Sequence, residues 1–111
     1  MNANQINGEI MLELTKDNFK STLKQGNVII DFWAPWCGPC RMMTPVFEET
    51  AKGHKNIVFA KVNIDEHPEI AGELGVRGIP TLIFFKEGKE VNRSVGFNAK
   101  PALESKIKET Y

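Results

Sequence analysis

Hydrophobic positions change period several times along the chain, and the changes divide it into alternating strands and helices. Residues 9–14 alternate enough to predict a first strand, and Thr15 or Asp17 is placed to cap a short helix with Phe19 and Leu23 on its inner face. After the break at Gln25-Gly26-Asn27, the run Val28-Ile29-Ile30-Asp31-Phe32-Trp33 is almost continuously apolar and β-branched. Such a run predicts a central strand covered on both faces in a partly parallel sheet. Met43, Val46, Phe47, Thr50 and Ala51 then recur at helical spacing, predicting a helix from the cysteines to about Gly53, kinked where Pro45 removes an N–H.

Residues 57–64 predict another buried strand, residues 67–74 a short helix ended by Gly75, and Gly78-Ile79-Pro80 a sharp connection. Residues 81–85 and 90–95 read as an antiparallel hairpin with Gly88 at its turn. A last amphipathic helix spans residues 99 to about 109, with Asn98 as its cap. The order β-α-β-α-β-α-β-β-α predicts an α/β fold, a mixed five-stranded sheet flanked by four helices on both faces. No repeat, linker or low-complexity stretch interrupts the pattern, so residues 1–111 form one expected domain, with residues 1–8 a flexible N-terminal extension.

Composition narrows the partners. Lys+Arg and Asp+Glu both number 14, which leaves no net basic field for nucleic acid or anionic lipid. The strongest apolar run, residues 28–34, is far shorter than the ~20 residues of a membrane span and contains Asp31. The opening residues lack the cationic start and apolar stretch of a secretory signal, so a soluble, cytoplasmic protein is expected. Asn92-Arg93-Ser94 matches a glycosylation acceptor, but without a secretory route it reads as a polar strand.

Chemistry concentrates in Trp36-Cys37-Gly38-Pro39-Cys40-Arg41, which holds both cysteines between a predicted strand and a predicted helix. Residues three apart share a helix face, so the two sulfurs can meet in a small ring. Gly38 permits a tight turn, and Pro39 suits a first helical turn, where its missing donor has no partner to lose. At the helix N-terminus, unpaired N–H groups and the helix dipole favour the Cys37 thiolate, making Cys37 the candidate nucleophile and Cys40 the resolving thiol. Three other uses of the pair stay open at this point. A structural disulfide would restrain only a short loop. Zinc would find Cys37, Cys40 and His54 at suggestive spacing but His67 too far along. Inert core cysteines are the third.

The stretch from Asp31 to Cys40 resembles the active-site signature of the thioredoxin family, and the resemblance continues through Pro45, Lys61-Val62-Asn63-Ile64-Asp65, Val76-Arg77-Gly78-Ile79-Pro80-Thr81 and Val95-Gly96. It implies the thioredoxin fold and reduction of protein disulfides by dithiol-disulfide exchange through Cys37 and Cys40. It also implies a cis Ile79–Pro80 bond facing the disulfide, with the Ile79 backbone free to pair with an extended client segment. Trp36, Gly38, Pro39, Ile64, Gly78, Ile79, Val95 and Gly96 would form the rim that contacts the client. Asp31 is unusual on physical grounds alone, because a carboxylate in a buried strand loses its hydration and its pKa should rise. By resemblance it lies behind the second cysteine and would accept the Cys40 proton through water, with Lys61 as its charge partner.

Arg41 keeps a positive charge that favours the thiolate, Met42-Met43 reads as core filling, and Phe97 departs from the smaller residue frequent after Gly96. His54 and His67 read as surface helix residues. The expected partners are a separate thioredoxin reductase and disulfide-containing clients, for a monomer without bound cofactor or metal other than its own redox-active disulfide. No Gly-x-Gly-x-x-Gly fingerprint is present, and Gly72, Gly75 and Gly78 have the wrong spacing for one. A disulfide-forming or isomerising relative is the alternative enzyme, although such families usually carry His between the cysteines, where this chain has Gly-Pro. A thioredoxin-fold binding module is the alternative outside catalysis.

Overall fold

Residues 11–111 are described by the computed structural model. The apolar run at residues 28–33 forms the middle strand, β2 (Asn27–Trp33), in the order β1-β3-β2-β4-β5, where β1 is Leu12–Glu13, β3 Val58–Asn63, β4 Thr81–Lys86 and β5 Lys89–Val95. β1, β3 and β2 run parallel, while β4 and β5 are antiparallel to their neighbours, so the sheet is mixed as the pattern predicts. The described part of the first strand is Leu12–Glu13; residues 9 and 10 of the predicted strand, and the predicted extension at residues 1–8, lie outside the described residues.

Alternation along β2 sends side chains to two cores. Val28, Ile30 and Phe32 pack with Phe19 of α1 (Phe19–Leu23) and Ile70 and Ala71 of α3 (Pro68–Glu73). Ile29 faces the other way, against Met43 and Phe47 of α2 (Gly38–Lys52) and Leu103 and Ile107 of α4 (Lys100–Thr110). All four of these β2 side chains are fully buried, each contributing about 1.5–3 kcal/mol of hydrophobic stabilisation.

Two predicted caps are corrected. The first helix has Asn18 at its N-cap position, not Thr15 or Asp17. Thr15 instead organises the preceding turn, its N–H donating to Asn18 Oδ1 at 2.7 Å and its hydroxyl accepting from the Asp17 N–H. At the last helix the N-cap position falls on Ala99, which makes no side-chain cap, and Asn98 lies one residue earlier with its amide nitrogen donating to Ser94 Oγ at 2.7 Å. Pro45 does lie inside α2, whose helical assignment continues through it to Lys52. Asn92, in the glycosylation-like triplet, is on β5 with its amide nitrogen donating to Thr110 Oγ1.

Tyr111 fastens α4 to the sheet. Its hydroxyl donates toward the carbonyls of Val28 (3.0 Å) and Phe85 (2.8 Å), and burial pushes its pKa up to about 12. Tyr111→Phe should lower unfolding stability by about 1–2 kcal/mol, because two strand carbonyls lose this donor. A shift in the urea midpoint at constant slope would check it.

Candidate active site

Cys37 occupies the N-cap of α2, directly after the β2 strand and its short loop. Its backbone is extended, and its Sγ accepts the Cys40 N–H at 3.1 Å. One of the unpaired amides at the helix start therefore points at sulfur, where it stabilises negative charge together with the helix dipole. Gly38 and Pro39 form the first helical positions, and Cys40 follows on the inner face; the two cysteines are joined in a disulfide. Cys40 is fully buried and Cys37 is 6 % exposed. The leading sulfur is thus the one nearer the surface.

Around the pair, Ala34 packs from the loop, with Trp33, Ile64 and Ile79 against it. The Ile79 carbonyl lies 3.9 Å from Cys37 Sγ, and the Ile79–Pro80 peptide is cis, as the resemblance implies. The Pro80 carbonyl accepts from the Gly96 N–H at 2.7 Å, and a Cβ at Gly78 would stand 3.4 Å from Val95 Cγ1. These contacts join the Gly78–Ile79–Pro80 loop to the end of β5. Gly96 has φ of 99°, a left-handed conformation that suits glycine at this close approach. Ile64 is tied in through its N–H, which donates to the Trp33 carbonyl.

The apolar surface on these elements is large. Trp36 is 65 % exposed and Val95 66 % exposed, with Pro39 and Phe97 also open to solvent. Met42 belongs to this exposed set too, at 59 %, which corrects its reading as core filling: only Met43 falls on the buried stripe with Phe47 and Thr50. The spacing carried that signal, since Met42 sits one position off the stripe. Sequence reasoning gave no role to Asp65, whose carboxylate accepts the Trp36 indole N–H at 2.9 Å and fixes the orientation of the exposed ring. The Arg41 guanidinium donates to the Pro35 carbonyl, bracing the loop ahead of the cysteines.

Beneath the helix, on the sheet face shared with Ile29, Asp31 is completely buried, and neither carboxylate oxygen has a hydrogen-bond partner among the described residues. Loss of hydration pushes its pKa up to about 7; the positive charge of Lys61 opposes the rise, and Glu13 adds to it. Lys61 is the register partner of Asp31 on β3, but its ammonium makes contact elsewhere. It donates to Thr44 Oγ1 at 3.3 Å and lies 4.5 Å from the centre of the Trp33 ring. Lys61 therefore acts on Asp31 as a nearby charge and not as a contacting ion pair. Thr44 in turn donates to the Cys40 carbonyl, so the Lys61 ammonium is linked through Thr44 to the turn that carries the second cysteine.

His54 and His67 take structural positions. His54, after the end of α2, pairs with Glu104 of α4 at 2.7 Å, and His67 is the N-cap residue of α3. Among the described residues no group of three or more His, Cys, Asp or Glu side chains is arranged to hold a metal, and no helix is long and apolar enough to cross a membrane.

Comparison with known proteins agrees with this geometry. The Thioredoxin family profile matches residues 10–109. A thioredoxin from Alicyclobacillus acidocaldarius is 46% identical over 99 residues, covering 86% of this chain and 93% of its own, and a thioredoxin from Chlamydia caviae is 50% identical over 90 residues, covering 81% and 88%. The crystal structure of oxidised mitochondrial thioredoxin 3 from Saccharomyces cerevisiae superposes with a TM-score of 0.83 at 37% identity, covering 89% of this chain and 94% of its own.

Proposed function

The chain belongs to the thioredoxin family and is a thiol-disulfide oxidoreductase of the protein-disulfide reductase kind; we propose that it works as a reductant, recharged by a separate thioredoxin reductase. The observation that carries this reading is the placement of Cys37 Sγ at the start of α2, accepting an amide N–H and bordered by the Ile79 carbonyl.

In the reduced protein the Cys37 thiolate attacks one sulfur of a client disulfide. The client S–S bond breaks, one client sulfur leaves as a thiolate, and the other is held to Cys37. Cys40 then gives its proton to Asp31, through a bridging water, and attacks Cys37 Sγ. The Cys37–Cys40 disulfide forms, the second client sulfur departs as a thiolate, and two electrons have moved to the client. Asp31 suits the proton step because a carboxyl near pKa 7 takes and returns a proton at physiological pH. Lys61 tunes it from one residue across the sheet.

Client binding falls to the rim. The Ile79 backbone offers strand-like hydrogen bonds to an extended segment, and Trp36, Gly38, Pro39, Ile64, Gly78, Val95 and Gly96 supply apolar contact without demanding a sequence. Pro80 closes the loop beside the sulfurs. The chain acts as a monomer in a reducing compartment such as the cytoplasm, where dithiols of this type stay charged.

Direction of electron flow is the decisive test. Equilibration of the Cys37–Cys40 pair against glutathione or a reference thioredoxin should give a potential near the roughly −270 mV typical of thioredoxins, a family value and not one obtained from this site. A value above about −180 mV, in the range of disulfide isomerases, would assign the protein to disulfide formation instead.

A further inference from the structure

We infer that Arg93 is a positioning residue for client docking, acting through the loop that carries Ile79 and Pro80. The helix α3 ends in a complete Schellman motif: Gly75 takes φ of 69°, its N–H donates to the Gly72 carbonyl, and the Val76 N–H donates to the Ala71 carbonyl at 2.9 Å. That motif satisfies carbonyls inside the helix but leaves those of Leu74 and Gly75 pointing outward. Arg93, on the edge strand β5, takes both, through Nη2 to Leu74 O at 2.7 Å and Nη1 to Gly75 O at 3.4 Å. Its fork is held from the other side by the Glu90 carboxylate, with Nε to Oε2 at 2.7 Å and Nη2 to Oε1 at 2.8 Å. A planar guanidinium presents donors in these fixed directions, which a lysine ammonium does not.

The segment from Val76 to Pro80 leaves the helix at this point and returns to the sheet at β4, and its far end is tied to β5 by the hydrogen bond from Gly96 N–H to Pro80 O. Arg93 ties the near end to the same strand, three residues before Gly96. The loop is thus stretched between Arg93 on β5 and Gly96 just past its end, and Ile79, whose backbone is proposed to pair with clients, lies between these two anchors. Removing one anchor lets the loop sample arrangements in which the Ile79 peptide no longer presents its groups to an incoming strand. The sulfurs themselves stay on α2, where the Cys40 N–H keeps its contact with Cys37 Sγ.

This inference rests on the docking role proposed for Ile79, and its test separates the two. The prereduced full-length protein is mixed in stopped flow with insulin, a protein disulfide, and with 5,5′-dithiobis(2-nitrobenzoate), a small disulfide that needs no docking strand. Arg93→Ala should slow the second-order reaction with insulin by about fivefold and leave the small disulfide unchanged. Arg93→Lys, which keeps the charge and loses the fork, should behave the same way; full rescue by lysine overturns the assignment. Amide hydrogen exchange at Val76, whose N–H is held by the Ala71 carbonyl, should quicken in both variants. Unchanged exchange overturns the clamp itself, whereas faster exchange with an unaltered insulin rate overturns the docking role of the loop. Equal slowing on both disulfides would mean damage at the sulfurs and would also overturn the inference.

Discussion

Cys40→Ser should convert the protein from a turnover catalyst into a trap, accumulating a covalent adduct between Cys37 and the client. The reason is the placement of the second sulfur one helical turn behind the first. Attack by Cys40 on the mixed disulfide is intramolecular, and well-oriented intramolecular reactions reach effective molarities on the order of 10⁵ M. With serine at that position only external thiols can release the client. Non-reducing electrophoresis and mass spectrometry should find the adduct in near-stoichiometric yield, with insulin turnover reduced to the background rate. The double variant lacking Cys37 as well should trap nothing. Trapping that persisted without Cys37, or a Cys40→Ser protein that released clients at the normal rate, would reverse the roles given to the two sulfurs.

Asp31→Asn should make the protein more stable and less active at once. Burial raises the Asp31 pKa to about 7, while in the unfolded chain it is near 3.8. The folded state therefore holds a proton that the unfolded state has already released, and stability from this group is present below pH 4 and lost progressively as pH rises to 7. At one pKa unit per 1.36 kcal/mol the loss approaches about 4 kcal/mol above pH 7. Asparagine removes that loss but places an amide where no partner awaits it, at a cost of about 1–3 kcal/mol. Urea unfolding at pH 8 should show a net gain of about 2 kcal/mol, and the decline between pH 4 and 7 should flatten. Resolution of the mixed disulfide should slow by about a hundredfold near neutrality, in the range of general-base catalysis. A stability gain with an unchanged resolution rate across pH would remove Asp31 from the proton step.

Much of the fold was legible in the sequence because hydrophobic period reports directly on what a segment buries. The β-branched run of residues 28–33 could only be a covered strand, and the stripe Met43, Phe47 and Thr50 could only be the inner face of α2. Caps were less legible, since a side chain able to cap a helix can bond elsewhere, as Asn98 does with Ser94. Periodicity also says nothing of backbone conformation at a polar turn: Gly88 was expected at the hairpin, but Glu87 shares it with φ of 52°.

At the site, the cysteines stood out by spacing and Asp31 by its apolar neighbours. The actual contacts of Lys61 did not, because register fixes which residues lie side by side and not where a long side chain ends. Thr44 and the Trp33 ring, distant in sequence, take its ammonium. Arg93 was hidden for a related reason, as its fork reads two carbonyls that no side-chain pattern reveals.

The edge strand β5 carries a lesson about company. If clients pair with the Ile79 backbone as proposed, the exposed edge of the same sheet must not pair with other copies of the chain. Lys89 and Glu90 are exposed at the start of that strand, and charged side chains there make another sheet a poor neighbour. Charge thereby guards the start of the strand, while Val95 at its other end stays exposed for the client contact proposed above.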